Sequence, residues 1–265
     1  MAKEMTFMEH LEELRKRVFK MILAVGIVTF FILGFHLTPF FYNGIHLYYP
    51  TFSPFSNIAA QLTIIMKHQL LPPSVQLIQT APGQAFFSQF YIAVLLGIVV
   101  AMPVIVREFM EFLSPALHHK EIHIIKSATV PSIVLFIAGC LFSYFVVTPF
   151  TLEFLYRYGE SAGLITFLNI VDFINFVLQF LLAFGISFQL PLIMYAVTIS
   201  GMVDARFWRK NIKWAVIAIV ILGAAITPDG SGITMWFVAG PLIGLYLIGM
   251  FLSEKRANQI ATLKS

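Results

Sequence analysis

Side chains able to do chemistry concentrate in one segment of this chain, PVIVREFMEFLSPALHHKE, from Pro103 to Glu121. It lies between two long apolar runs, so we expect a loop at a membrane surface. His119 and His123 have the i,i+4 spacing of metal ligands. No fourth ligand is evident at a matching spacing, and solvated loop histidines explain the cluster better. We therefore predict no metal site and a surface that binds a partner.

Motifs for nucleotide or hydrolytic chemistry are absent from the sequence. It contains no GxxxxGK[ST], GxGxxG, HExxH or GxSxG pattern. No arrangement of serine, histidine and acid suggests a catalytic triad. We predict that the chain is not an enzyme and binds no cofactor.

The elements that position the polar segment are expected to be membrane-spanning helices. The chain is 59% hydrophobic and only 11% charged, too apolar for a soluble core of this length. We predict an all-α membrane protein, a kinked bundle forming a single integral membrane domain over residues 1–265. Its six transmembrane helices are predicted at about 18–37, 86–106, 124–147, 171–199, 212–226 and 233–252. The fifth is short, about 22 Å at 1.5 Å per residue.

Lysine and arginine predict the orientation. With six spans, both termini share a side, and 15 of the 17 basic residues fall on it. Only Lys67 and Arg157 fall on the other side. This bias predicts that both termini are cytoplasmic.

Prolines predict where the helix in the first external loop stops and where two of the spans bend or end. The loop from Thr38 to Ala85 is expected to hold an amphipathic cap helix, Phe55 to Leu71, starting near Ser53 and stopped by Pro72. A second external loop is expected from Pro149 to Asn169. Pro191 predicts a bend in the fourth span, and Pro131 and Pro149 are candidates for kinking or ending the third.

The N-terminal segment FMEHLEELRKRVF reads as a helix that continues into lipid. Glu12 with Lys16, and Glu13 with Arg17, have the favourable i,i+4 order for ion pairs.

The middles of the spans are nearly free of ionisable groups, so Gln189 and, in the outer turn, Asp229 are the remaining polar candidates. Asp229 is also placed to cap the sixth helix.

Five segments, in order, resemble the TatC family, the large membrane subunit of the twin-arginine translocase. They are HLEELRKRV, PVIVREFMEFLSPALHHKE, FSYFVVTPFTLEFL, FGISFQLP and ITPDGSG. The resemblance implies a receptor for signal peptides that carry paired arginines. It also implies single-span partners of the TatA/TatB type and translocation that is driven by the proton-motive force. The signal peptide is expected to be recognised on the cytoplasmic side.

The resemblance also implies which residues recognise the peptide. They are Glu13, which belongs to the HLxELR motif with Arg15, and Glu121, with Phe112, Pro115, Leu117 and Glu108 in the loop. Glutamine is usual in the family where this chain has Glu108, and many relatives carry glutamate at Gln189 and Leu247. A guanidinium donates in a planar fork that suits a carboxylate, so two arginines need two acceptors.

Two other classes of function stay open at this point. One is a secondary transporter or channel for a small solute, although no dense set of buried charges or paired broken helices supports it. The other is an intramembrane enzyme, which would need paired catalytic groups within the spans. In the absence of a peptide ligand, Glu13 could simply pair with Arg17, and Glu121 with Lys120 or a histidine.

Overall fold

The structure, a computed structural model, describes residues 7–42, 45–113, 119–199, 201–227 and 232–262. Within those ranges, the side chains of residues 7, 42, 45–46, 110, 113, 119–128, 258 and 260–262 are not described. The chain divides into two compact units. Over the described residues, the first comprises 7–108 and 148–178, and the second comprises 109–147 and 179–262.

Long apolar helices dominate the described residues. In chain order the elements are α1 Phe7–Gly34, β1 Phe35–Tyr42, β2 Ile45–Phe52, α2 Ile58–Leu70, β3 Gln76–Ile78, α3 Gln84–Leu113, α4 His119–Phe142, a π-helical turn Ser143–Val147, α5 Thr148–Ser161, β4 Phe167–Asn169, α6 Ile170–Ser187, α7 Leu190–Ile199, α8 Ala205–Lys210, α9 Ile212–Ile226 and α10 Ile233–Thr262.

Five helical stretches among the described residues are long and apolar enough to cross a membrane. They are Met8–Gly34, Gln84–Phe109, Thr129–Ser161, Ile170–Ile199 and Ile233–Ala257. Helix α9 is apolar but shorter, with 15 residues and the bounds predicted from the sequence. The fold is therefore that of a helical, multi-pass membrane protein.

In the first unit, α1 and α3 approach each other closely. The Thr29 hydroxyl donates to the carbonyl of Ala93 at 3.4 Å. A Cβ on Gly97 would lie 2.5 Å from the Thr29 Oγ1 and 3.0 Å from the Val25 carbonyl oxygen, so only glycine fits without a shift. Small residues permit such close helix packing in membranes. This contact fixes α3 against α1 and so positions the polar residues further along both helices.

The segment after α1 is an antiparallel hairpin, which the sequence prediction missed. Strands β1 and β2 pair from Phe35 opposite Phe52 to Tyr42 opposite Ile45. The first span was predicted to reach Leu37, but α1 ends at Gly34 and the chain continues as β1. Aromatic residues favour strands, and the Phe31 ring stacks on Phe35 with centroids 4.6 Å apart.

Helix α2 lies within the predicted cap-helix segment but begins later than expected. Its N-cap is Asn57, not Ser53, because the Asn57 side chain accepts a hydrogen bond from the Ala60 backbone N–H at 2.9 Å. The helix ends at Leu70, just before the Pro72–Pro73 pair. Phe55 lies outside the helix, with 96% of its surface exposed.

Other predicted boundaries were wrong. The segment Pro103–Leu113 is the end of α3 rather than a loop, and Pro103 is accommodated inside the helix. The predicted loop from Pro149 is helical to Ser161, because the π-helical turn carries the third span into α5. Pro149 is the second residue of α5, and because a proline lacks the N–H of a continuous helical ladder, its place directly after the π-helical turn is where the regular hydrogen bonding changes.

In the second unit, the fourth span is broken as Pro191 predicts. Helix α6 ends at Ser187, and α7 begins at Leu190 after a turn at Phe188 and Gln189. A proline at position 191 lacks an N–H for a continuous helical ladder. Backbones also come close here, since a Cβ on Gly139 would lie 2.6 Å from the Phe184 carbonyl oxygen.

Two glycines of α10 allow a matched test of this packing. A Cβ on Gly249 would lie 2.9 Å from the Pro191 Cα and 2.7 Å from the Met194 Sδ, whereas Gly244 has nothing within 4 Å. We expect Gly249→Ala to lower the free energy of unfolding by about 1–3 kcal/mol through overpacking. Gly244→Ala is expected to be neutral or slightly stabilising, since alanine favours helices. Thermal unfolding in one detergent compares the two, and equal midpoints would contradict the packing argument.

Candidate functional site

The two neighbouring glutamates of α1 have different environments. Glu12 pairs with Lys16 at 3.0 Å, and both side chains are more than half exposed. Glu13 accepts two hydrogen bonds at its Oε1 from Arg17, from Nε at 2.9 Å and from Nη2 at 2.7 Å. The Glu13 and Arg17 side chains are 16% and 17% exposed. Both predicted i,i+4 pairs are confirmed, and only the second is largely buried.

Helix α3 brings a second carboxylate to the same guanidinium. Arg17 Nη1 donates to Glu108 Oε2 at 3.1 Å, and Lys20 Nζ approaches the same oxygen at 3.5 Å. Glu108 is buried, with 6% of its surface exposed. Arg17 therefore joins two glutamates that are far apart in the sequence. We call Glu13, Arg17, Lys20 and Glu108 the charged cluster.

One carboxylate oxygen of the charged cluster has no hydrogen-bond partner in the described part of the chain. Glu13 Oε2 is buried and accepts no hydrogen bond among the described residues. A buried polar atom without a partner is costly, by about 1–3 kcal/mol and more for a charged group. Glu13 is thus an unsatisfied acceptor beside a guanidinium that is already bound. An additional N–H donor, such as a second guanidinium, would satisfy it.

Sequence reasoning did not predict that Arg17 and Lys20 contact Glu108. It assigned Arg17 only to Glu13, and it gave Glu108 as a peptide-recognition residue at a position where the family usually has glutamine. Spacing along α1 places Glu13, Arg17 and Lys20 at i, i+4 and i+7, which is one helix face. That pattern could have predicted that this face of α1 contacts a buried acidic side chain on another helix.

The other predicted site residues are only partly described. Arg15 is exposed on α1, and Phe112 is half-buried in the last turn of α3. Glu121 belongs to the first turn of α4, but its side chain lies outside the described part of the chain. Pro115, Leu117 and Asp229 also lie outside the described residues, as do the side chains of His119 and His123. Among the described residues, no group of three or more histidines, cysteines or acids could hold a metal.

Gln189, in the turn between α6 and α7, bonds within its own unit. Its Oε1 accepts from the Ser132 hydroxyl at 2.7 Å, and its Nε2 donates to the Ser132 carbonyl at 3.2 Å. A weaker contact reaches the Gly185 carbonyl at 3.4 Å. The amide thus ties the break in the fourth span to α4, and no ionised group is needed for these bonds. A contact between Gln189 and a partner's helix stays a prediction.

A comparison of Gln189 with Gln179 separates the effect of the Gln189 hydrogen bonds from the effect of having a polar side chain in a span. We expect Gln189→Leu to lower the free energy of unfolding by about 1 kcal/mol, because helix–helix hydrogen bonds in membranes are worth ~0.6 to ~1.7 kcal/mol. Gln179→Leu, on the exposed face of α6, is expected to be neutral or stabilising. Unfolding in a denaturing detergent measures both. Equal losses would show that the Ser132 bonds contribute nothing.

The fold and the charged cluster together define a class of protein. It is a multi-pass membrane protein in which a partly buried acidic and basic network lies at the end of apolar helices. The family described as Sec-independent protein translocase protein (TatC) matches residues 9–241. The chain belongs to the TatC family of protein translocase subunits, which are components of a Tat complex rather than enzymes.

Individual relatives agree along nearly the whole chain. The Sec-independent protein translocase protein TatC of Cenarchaeum symbiosum is 60% identical over 256 residues, covering 97% of both chains. TatC of Aquifex aeolicus is 34% identical over 257 residues, covering 94% of this chain and 95% of the relative. A crystal structure described as Twin Arginine Translocase Receptor TatC matches with a TM-score of 0.75 and 30% identity, covering 93% of this chain and 98% of that chain.

Proposed function

We propose that this protein is the receptor subunit of a twin-arginine translocase and that Glu13 accepts an arginine of the signal peptide. The observation that carries the proposal is the buried, unpartnered Oε2 of Glu13. Arg17 occupies the other oxygen in a forked arrangement, which indicates that the carboxylate is oriented to receive a guanidinium. The name of the matching crystal structure, a twin-arginine translocase receptor, supports the same assignment.

The proposed receptor surface is cytoplasmic. The excess of lysine and arginine on the side of the termini supports this orientation, with six spans, both termini inside and α9 as the short fifth span. A helix of 15 residues spans only part of the hydrocarbon, so the bilayer thins there or neighbouring helices compensate. On this topology α2 is an external cap helix, and residues 1–265 act as one membrane domain.

Other residues of the predicted recognition surface keep separate roles in the proposal. Glu121 accepts the second arginine, and Phe112, Pro115 and Leu117 contact the apolar part of the peptide. Arg15 is exposed and belongs to the same cytoplasmic recognition surface. Assembly with TatA/TatB-type single-span subunits, driven by the proton-motive force, completes the proposed function. Gln189 and Asp229 are the candidates for contact with a partner helix.

Peptide binding to the purified chain tests the proposal. We expect a signal peptide with Arg-Arg to bind detergent-solubilised protein about 30- to 150-fold more tightly than the same peptide with Lys-Lys. The ratio corresponds to the ~2–3 kcal/mol of a partly desolvated charge-assisted pair, which lysine cannot form in the same fork. Glu121→Ala should reduce this preference. If Arg-Arg and Lys-Lys peptides bind equally to the wild type and to Glu121→Ala, the proposed site is wrong.

A further inference from the structure

A second charged site lies in the second unit, around the short helix α8. A cavity of about 550 Å³ opens there and is lined by Asp204, Arg206, Arg209, Lys210 and Glu254. Three of these side chains are cationic and two are anionic. The cavity is distinct from the charged cluster, because none of its residues belongs to the proposed signal-peptide site.

Both acidic groups of this cavity are already engaged. Arg209 donates to Glu254 in a bidentate arrangement, from Nε at 2.7 Å to Oε1 and from Nη2 at 2.6 Å to Oε2. Asp204 caps α8, accepting from the Arg206 backbone N–H at 2.9 Å. Arg206 and Lys210 are exposed and form no ion pair among the described residues. The five charged side chains therefore carry one net positive charge, and Arg206 and Lys210 are the cations that face the cavity outside the Arg209–Glu254 pair.

The backbone that carries these cations is held firmly. Trp208, between them, donates from Nε1 to the Thr198 hydroxyl at 2.9 Å, and its carbonyl accepts from the Tyr246 hydroxyl at 2.8 Å. Tyr246 is buried, with 6% of its surface exposed. A fixed backbone lowers the entropy lost when Arg206 and Lys210 bind an anion.

An exposed apolar stripe on α9 begins at Trp214, which follows the cavity-lining Lys210 by four positions in the sequence. Trp214, Ile217 and Ile221 recur at i, i+3 and i+7 of α9 and are 62%, 49% and 63% exposed. Lys213 lies over the Trp214 ring, 5.6 Å from its centroid. Lysine and tryptophan together are typical of the level of lipid headgroups. The ligand that fits cations followed by an apolar stripe carries both an anion and a hydrocarbon chain.

We propose that the cavity binds the phosphate of an anionic phospholipid between Arg206 and Lys210, with an acyl chain along the exposed stripe of α9. Basic pockets at the ends of membrane helices bind such headgroups. A free phosphate ion would use the two cations but gain nothing from Trp214, Ile217 and Ile221. The lipid would anchor α8 at the membrane surface.

Lipid binding to the full chain in a neutral detergent tests this site. We expect phosphatidylglycerol to bind, measured by native mass spectrometry, and phosphatidylcholine to bind at least tenfold more weakly. The double variant Arg206→Gln/Lys210→Gln should lose about 10- to 30-fold in phosphatidylglycerol affinity, the effect of two basic residues near an anionic headgroup.

A matched double variant removes two charges that lie close to the cavity in the sequence but do not line it. Lys255→Gln/Arg256→Gln lies outside the cavity lining and should change the affinity less than twofold. Equal losses in the two double variants would overturn the site, since they would report net charge alone. Complete displacement of the lipid by an equal concentration of inorganic phosphate would overturn the assignment to lipid. Unfolding midpoints within a few degrees of the wild type ensure that each variant is folded.

Discussion

Glu13→Gln is expected to weaken binding of a twin-arginine signal peptide by about 30- to 150-fold, whereas Glu12→Gln should change it less than twofold. The two glutamates are adjacent in α1 and each pairs with a basic residue four positions later. Of the two, only Glu13 is largely buried and carries an oxygen that has no partner among the residues that the structure describes. Glutamine keeps the size of the side chain but cannot offer a carboxylate to a guanidinium.

Fluorescence anisotropy with labelled Arg-Arg and Lys-Lys peptides measures the effect. The loss in Glu13→Gln should be confined to the Arg-Arg peptide, because the Lys-Lys peptide makes no forked contact to lose. Glu12→Gln controls for the removal of one negative charge from the same helix. Equal weakening by the two variants would mean that α1 attracts the peptide only by its overall charge.

Arg17→Ala is expected to lower the free energy of unfolding by about 3–5 kcal/mol, because it leaves two mostly buried carboxylates without their shared guanidinium. Among the described residues, Glu13 would lose both hydrogen bonds from Arg17, and Glu108 would keep only Lys20, at 3.5 Å. Lys16→Ala removes the same charge from an exposed pair and should cost less than about 1 kcal/mol. Denaturing-detergent titrations followed by circular dichroism compare the two.

A conservative variant separates charge from geometry in the charged cluster. Arg17→Lys keeps the positive charge but cannot donate to Glu13 and Glu108 at once in the planar fork. We expect it to recover part, but not all, of the stability lost in Arg17→Ala. An Arg17→Ala protein as stable as Lys16→Ala would show that the network contributes no more than a surface ion pair.

Hydropathy alone predicted the long helices because the bilayer requires them. A lipid-exposed backbone must satisfy its hydrogen bonds internally, so an apolar run of about 20 residues is almost always a helix. The bounds of α9 and the break before Pro191 follow from composition and from proline stereochemistry. The i,i+4 pairs of α1 follow from helix geometry and are equally local.

Boundaries and short elements were harder to predict from the sequence. The hairpin Phe35–Phe52 was missed although Asn43-Gly44 lies between its strands, a dipeptide typical of tight hairpins. A short apolar run is ambiguous between helix and strand. The first apolar residues of the hairpin were therefore assigned to the end of the first span. The continuation of the third span through a π-helical turn into α5 was missed because Pro149 suggested an end.

The sequence by itself determined that this is a membrane protein of helical spans and that its resemblance is to TatC, which the family match confirms. It also determined that Glu13 and Arg17 pair on α1, because that contact depends only on helical spacing. Only the tertiary structure decided that Glu108 joins them, 91 residues from Arg17. That contact requires α1 and α3 to pack closely at Gly97, and no local pattern specifies which buried acid meets a given arginine.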